Sequence, residues 1–299
     1  MKKLTKNRKR PYPVVPIKIS DGRFRIEGMG IWYSYWRDPY HLLLTVPWFG
    51  FLAIVSLIYL GTNALFALLY SLQPGCIANA NPHSYIDAFF FSVQTLASIG
   101  YGALYPQTAY ANTLVTVEAM FGLMGLALMT GLAFARFSRP TARVLFSRVA
   151  VIQPYDGEPV LMFRTANKRR NQILEAQLQV YLMRDEVNAE GQFMRRFHEL
   201  RLMRQRTPTF TLSWTAIHPI DSQSPLYGMS PEALVQTNTT LVASLSGIDE
   251  TVMQTIHARH TYAAQDILWN YTLADIFHHT EDGHRYLDYN YFHEARPLS

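Results

Sequence analysis

Charged side chains all but vanish between Leu42 and Phe134 and recur every few positions from Arg136 onward. The first apolar run, Leu42 to Tyr70 (LLLTVPWFGFLAIVSLIYLGTNALFALLY), carries no charge. As a helix it would reach about 43 Å, against a bilayer hydrocarbon core of about 30 Å. A membrane span over 42–70 is expected, with Pro47 near its start tolerated because neighbouring groups satisfy the carbonyl that a proline frees. A second run, Tyr110 to Phe134 (YANTLVTVEAMFGLMGLALMTGLAF), holds one charge, Glu118, and predicts a span over 110–137. An ionisable group is costly in hydrocarbon, so Glu118 is expected to face away from lipid near the outer end. Between the runs, SYIDAFFFSVQTLA predicts a third apolar helix over 84–97, too short to cross, with Asp87 in its first turn where the helix dipole favours negative charge.

Beyond Pro140 the period changes. Short alternating segments such as AVIQPY, PVLMFRT, EAQLQVYLMR, FTLSWTAIHPI and TLVASLSGI are punctuated by Gly, Pro, Asp and Asn, the pattern of a β-sandwich of the immunoglobulin-like kind. SPEALVQ reads as one short capped helix. The boundary between the two halves falls near Arg139-Pro140.

Charge orients the spans. The formal net charge is +5, and Lys2, Lys3, Lys6, Arg8, Lys9, Arg10, Lys18, Arg23, Arg25 and Arg37 all precede the first apolar run. Residues 71–109 contain no Lys or Arg, and Arg136, Arg139 and Arg143 follow the second run. The positive-inside rule then places both termini in the cytoplasm and residues 71–109 outside. A basic arm beside a span points to anionic lipid headgroups rather than nucleic acid. With Cys76 as the single cysteine, neither an intrachain disulfide nor a cysteine-rich zinc site is possible, and the opening MKKLTKNRKRPYP lacks the apolar core of a signal peptide. Aromatic residues Trp32, Tyr33, Tyr35, Trp36 and Tyr40, with Arg37 among them, suggest a short interfacial helix over 29–41, which serves either as an anchoring belt or in gating.

The stretch TLASIGYG, residues 95–102, follows the short helix. Irregular backbone at membrane depth must be shielded by protein or line a water-filled path. A dehydrated K+ ion needs carbonyls stacked along an axis, and alternate glycines permit the backbone angles that aim them inward. Ser98, Ile99, Gly100, Tyr101 and Gly102 are the candidate selectivity filter, with K+ held by the carbonyls of Ser98, Ile99, Gly100 and Tyr101 and by the Ser98 hydroxyl. Ile99 and the Tyr101 ring are expected to face outward and brace the strand against the short helix. The potassium-selective pattern TVGYG carries Thr where this chain has Ser98. One chain supplies one strand and an ion must be ringed by several, so a homotetramer is expected.

The second span should present one face at i, i+4, i+8. Leu126, Thr130 and Phe134 form such a stripe, with Gly122, Gly125 and Gly131 beside it. The glycines suit either ordinary helix packing or a hinge at Gly122 and Gly131. Converging Phe134 rings would make an apolar constriction that closes by dewetting.

These motifs carry a family resemblance. With TLASIGYG, the segments ARFSRPTARVLFS, LMFRTANKRRNQILEAQLQVYLMR, HPIDSQSPLYG and ARHTYAAQDILW, in that order, make the chain resemble inward-rectifier potassium channels, most closely their prokaryotic KirBac branch. The resemblance implies a membrane α-helical pore (two transmembrane helices plus a re-entrant pore helix) with a C-terminal immunoglobulin-like β-sandwich cytoplasmic domain. It places Leu126 where strongly rectifying relatives carry an acidic residue, so weak rectification is expected. It also implies anionic lipid, phosphoinositides included, at Arg37, Arg136, Arg139 and Arg143. The sequence DPYHLL departs from the basic and Trp pattern of the eukaryotic channels and leaves the sign of that lipid effect open.

The expected plan is a basic N-terminal segment (1–28), an interfacial slide helix (29–41), a pore domain (42–138) and a regulatory β-sandwich (139–299), in the cell inner membrane. K+ is the permeant ion, Ba2+ a blocker, and no cofactor or nucleic acid is implied. His257, His260, His278 and His279 invite a metal reading but lack hydrolase spacing, and His218 sits in a motif that looks structural. No phosphate loop or nucleophile elbow is present, which disfavours an enzyme. The alternative from another class is a two-span membrane receptor with a ligand-binding β-domain and an inactive pore.

Overall fold

Pro47 divides the first apolar run. Helix α1 (Pro39–Thr45) begins at Asp38, whose side chain accepts from the His41 N–H at 3.0 Å, and ends at Val46, held at φ −58° and ψ 145°. Helix α2 (Trp48–Ser71) then starts afresh. The continuous span expected over 42–70 is corrected to a break at Val46–Pro47. The proline ring disfavours helical angles at Val46 and supplies no N–H to bond back.

The computed structural model describes residues 17–20, 23–26, 38–279 and 285–298. Of the expected segment 1–28 it describes a hairpin, β1 (Ile17–Ser20) and β2 (Arg23–Ile26). Most of the expected interfacial helix, with Arg37, lies outside the described residues. The contacts separate a unit ending at Arg139 from one that begins at Pro140 and takes in the hairpin.

In the first unit, α2 and α4 (Ala109–Phe137) are long and apolar enough to cross a membrane. Between them lie β3 (Ile77–Ala78), α3 (Tyr85–Leu96) and β4 (Tyr105–Pro106), with β3 and β4 antiparallel. Phe66, Ala67 and Tyr70 of α2, Ala88 and Phe91 of α3 and Ala111 of α4 form one buried cluster with Cys76 and Ile77. The outward faces of α2 and α4 remain apolar and exposed, Leu57 and Leu123 among them.

The second unit is a sandwich of two five-stranded sheets. One holds β8 (Ile173–Val187), β9 (Phe193–Leu200), β10 (Arg206–Phe210), β12 (Thr240–Asp249) and β13 (Gln254–Ala263), with β8 central. The other holds β5 (Val144–Phe146), β6 (Ala150–Tyr155), β7 (Glu158–Asn167), β11 (Ser213–Pro219) and β14 (Ile267–Trp269), antiparallel except where β14 joins β6. Period-two alternation points Ala176, Leu178, Val180 and Leu182 of β8 and Leu241, Ala243 and Leu245 of β12 into a core shared with Leu161, Phe163 and Trp214 of the facing sheet. Strand β7 is buried on both faces: Val160 and Met162 pack outward against Leu268, Tyr271 and Leu273, which explains its unbroken apolar run. Helix α5 (Pro231–Gln236) is capped by Ser230, whose hydroxyl accepts from the Ala233 N–H at 3.2 Å.

Candidate functional site

Ser84 caps α3 by accepting from the Asp87 N–H at 3.1 Å, and Asp87 in turn accepts from the Asn81 N–H at 3.0 Å. At the other end α3 closes in a Schellman turn. The Ser98 N–H donates to the Thr95 carbonyl at 3.0 Å and the Ile99 N–H to the Gln94 carbonyl at 2.8 Å. Ser98 takes the left-handed position, φ 54°, that glycine usually fills.

From there the backbone alternates in hand. Ser98, Gly100 and Gly102 have φ of 54°, 61° and 80°, while Ile99 and Tyr101 between them stay at negative φ. Alternation of hand turns successive peptide planes so that their carbonyls project from one side of the strand, as a ring of backbone oxygens requires. A Cβ on Gly100 or Gly102 would meet no atom of this chain within 4 Å, so the backbone angle, not the space, calls for glycine. Within one chain Ile99 and Tyr101 are 46% and 74% exposed, so much of the surface of each side chain is left uncovered by the chain itself.

The segment after Gly102 is tied back. Asn79 donates through Nδ2 to the Ala103 carbonyl at 2.9 Å, the Gln107 N–H donates to the Cys76 carbonyl at 3.0 Å, and the Gln107 side chain donates to the Gly75 carbonyl.

Behind α3 lies a buried polar network that sequence reasoning found only in part. Glu118 of α4 is fully buried and accepts from the Tyr70 hydroxyl at 2.7 Å through one oxygen, while the other contacts Ser92 Oγ of α3. Ser92 Oγ is also 3.0 Å from Asn63 Oδ1 of α2, whose amide nitrogen donates to the Tyr59 carbonyl at 2.8 Å. That Glu118 faces protein was legible from the cost of charge in lipid. Asn63, Tyr70 and Ser92 as its surroundings were not, although an Asn inside an uncharged span is a signal that could have pointed there. Four residues beyond Glu118, Gly122 sits so close to α3 that a Cβ would overlap the Leu96 carbonyl oxygen and lie 3.1 Å from its carbon. Gly122 is thus a packing contact, whereas Gly131 has open space.

Leu126, Thr130 and Phe134 are exposed along α4, Leu126 and Phe134 at 67% and 72%, and Thr130 bonds back to the Leu126 carbonyl at 2.8 Å. Steps of four residues drift by about 40° around a helix, so the face that meets α3 at Glu118 has turned almost fully away by Phe134.

Arg136 is engaged. Its guanidinium donates to the Leu43 carbonyl and, at 2.7 Å, to the Val46 carbonyl, with its carbon 4.7 Å from the centres of both the Trp48 and Phe51 rings. Arg139 donates to the Leu44 carbonyl at 3.2 Å. Pro47 lacks the N–H that would have bonded to the Leu43 carbonyl, and with the helix broken there these arginines satisfy carbonyls left at its end. Arg143, in the other unit, is exposed. Within that unit His218 is buried, with Nδ1 2.8 Å from the Arg201 carbonyl and Nε2 2.8 Å from Ser224 Oγ, and His260 stacks on Phe146.

Two family models match the chain: an inward rectifier potassium channel C-terminal domain over residues 144–299, and an ion channel model over residues 52–139. The chain is 48% identical over 276 residues to the inward rectifier potassium channel Kirbac3.1 of Paramagnetospirillum magnetotacticum, covering 92% of this chain and 94% of that protein. It is 28% identical to the ATP-sensitive inward rectifier potassium channel 12 of Bos taurus, over 87% of this chain and 66% of the relative. It is 29% identical to the G protein-activated inward rectifier potassium channel 2 of Mus musculus, over 89% of this chain and 68% of the relative.

Proposed function

Because the chain belongs to the inward rectifier potassium channel family, and is a membrane protein of the prokaryotic KirBac type with an all-β C-terminal domain, we propose that it assembles as a homotetramer passing K+ through a filter of backbone carbonyls. The observation that carries this reading is the alternation of left-handed φ at Ser98, Gly100 and Gly102 directly after α3. Four copies of that strand around an axis supply rings of oxygen from Ser98, Ile99, Gly100 and Tyr101 that replace the hydration shell of the ion. The exposure of Ile99 and Tyr101 supports assembly, since a second copy offers the bracing that one chain lacks.

Below the filter, Leu126 and Thr130 line a cavity and Phe134 forms the gate. Leu126 presents no charge to an intracellular cation, so rectification is weak. The protein lies in the inner membrane with both termini cytoplasmic, residues 139–299 form its regulatory domain, and anionic lipid acts at Arg37, Arg136, Arg139 and Arg143, of which Arg139 and Arg143 are exposed. The chemistry is transport, with K+ as cargo and Ba2+ as a blocker. The test is ion flux from liposomes holding the purified chain. K+ flux that exceeds Na+ flux and is stopped by Ba2+ is the expected result; equal Na+ flux overturns the filter assignment.

A further inference from the structure

The network between α2, α3 and α4 has a proton inventory that closes in only one way. Asn63 uses its amide nitrogen on the Tyr59 carbonyl, so its Oδ1 needs a donor, and Ser92 Oγ at 3.0 Å is the partner it has. Ser92 owns one hydroxyl proton. Given to Glu118, that proton leaves Asn63 Oδ1 without a donor. Given to Asn63, it leaves an ionised Glu118 oxygen facing the Ser92 lone pairs. If Glu118 is the neutral acid, its own O–H donates to Ser92, Ser92 donates to Asn63, and Tyr70 donates to the other Glu118 oxygen. Each oxygen of Asn63, Ser92 and Glu118 then receives a donor or carries a proton that it donates, in a site where all three residues are wholly enclosed.

The charged surroundings agree. Residues 71–109 contribute no Lys or Arg, Tyr70 is the titratable group in contact with Glu118, and Asp87 of α3 is turned to the Asn81 N–H. The donor chain also has a register. Glu118 meets Ser92, and four residues later on both helices Gly122 meets the Leu96 backbone. Two contacts one turn apart hold α3 at one depth and rotation against α4, and Ser98 begins two residues beyond Leu96.

We propose that Glu118, as a neutral acid donating to Ser92, is a positioning residue for ion selectivity: with Gly122 it fixes the end of α3 and so the spacing of the carbonyls that ring the ion. This rests on the channel reading above. It is tested on the full chain in liposomes by the K+ over Na+ permeability ratio, with assembly followed by size-exclusion chromatography. Glu118→Ala and Ser92→Ala are expected to assemble and conduct K+ with a ratio lowered about tenfold, the scale of a lost buried hydrogen bond. Glu118→Gln, whose amide both donates to Ser92 and accepts from Tyr70, is expected to keep the ratio of the unaltered chain. Assembled Glu118→Ala and Ser92→Ala channels with an unchanged ratio overturn the proposal, and a Gln variant as impaired as the Ala variant overturns the neutral-acid donor. Should Glu118→Ala not assemble, Ser92→Ala, which loses only a hydroxyl, decides. Absence of K+ flux from the unaltered chain is a separate result, and it overturns the channel reading itself.

Discussion

Gly122 of α4 lies directly against the carbonyl of Leu96, the last residue of α3, with no room for a Cβ between them. A glycine in mid-helix costs about 1 kcal/mol against alanine, so its place here is explained by the approach it permits. Gly122→Ala is expected to destabilise the assembled protein by about 1–3 kcal/mol through overpacking. Gly131→Ala meets no atom within 4 Å and should leave stability unchanged or raise it. Thermal unfolding of both variants distinguishes a packing glycine from a bending one, and a fall in K+ flux confined to Gly131→Ala is the outcome a hinge requires.

Gly100→Ala is expected to abolish K+ flux. Space is open around Gly100 within the chain, but an L-residue at its φ of 61° costs about 1–2 kcal/mol, and regaining a negative φ would turn a carbonyl off the axis. Flux should vanish while far-ultraviolet circular dichroism of the β-sandwich stays unchanged; retained flux would remove Gly100 from the ion path.

Phe134→Ala is expected to raise the open fraction several-fold. The ring is exposed near the C-terminal end of α4, and in the proposed tetramer it would meet its symmetry mates and exclude water from the pore. Single-channel recording reads the effect directly, and an unchanged open fraction would move the constriction to Leu126 or into the cytoplasmic domain.

Arg136→Lys should not substitute for the arginine. Guanidinium donors reach two carbonyls, those of Leu43 and Val46, while its plane stays close to two rings; an ammonium on a flexible stem cannot do both. A loss of about 1–3 kcal/mol in stability is expected. Thermal unfolding checks it.

Below neutral pH the C-terminal unit should lose stability through His218. Burial pushes its imidazole below the ordinary value of 6.5, opposed in part by the bond to the Arg201 carbonyl. The unfolded chain therefore takes up the proton more readily than the folded one. Stability is full above 6.5 and declines as pH falls from there towards the lower folded value. The neutral ring donates from Nδ1 to Arg201 and accepts the Ser224 hydroxyl at Nε2, while Ser224 accepts from the Leu226 N–H at 3.1 Å. The unfolding midpoint of the chain should fall between about pH 7 and pH 5, and less so in His218→Gln.

Local chemistry settled much of this protein in advance. Absence of charge over 42–70 and near-absence over 110–134 marked the membrane helices, because burying a charge in hydrocarbon is prohibitive whatever the tertiary fold. Period-two alternation marked β8 and β12, since strands carry their own facing rule. The family, too, was legible in motifs quoted from the chain. Pro47 is tolerable inside one span by local rules, yet it breaks the helix, and its cost is relieved by something no local pattern contains: Arg136, distant in sequence, donating to the freed carbonyls.

What three-dimensional packing alone decided is partnership across the chain. Glu118 was visible as a charge that must hide, but Tyr70, Ser92 and Asn63 come to it from two other helices, and Gly122 becomes meaningful only once Leu96 is pressed against it. A single Ser in α3 carries no periodic signal of its own. Hydrophobic periodicity reports which face of a helix is buried; which polar atoms meet there depends on helix depth and rotation, fixed by contacts from every element at once.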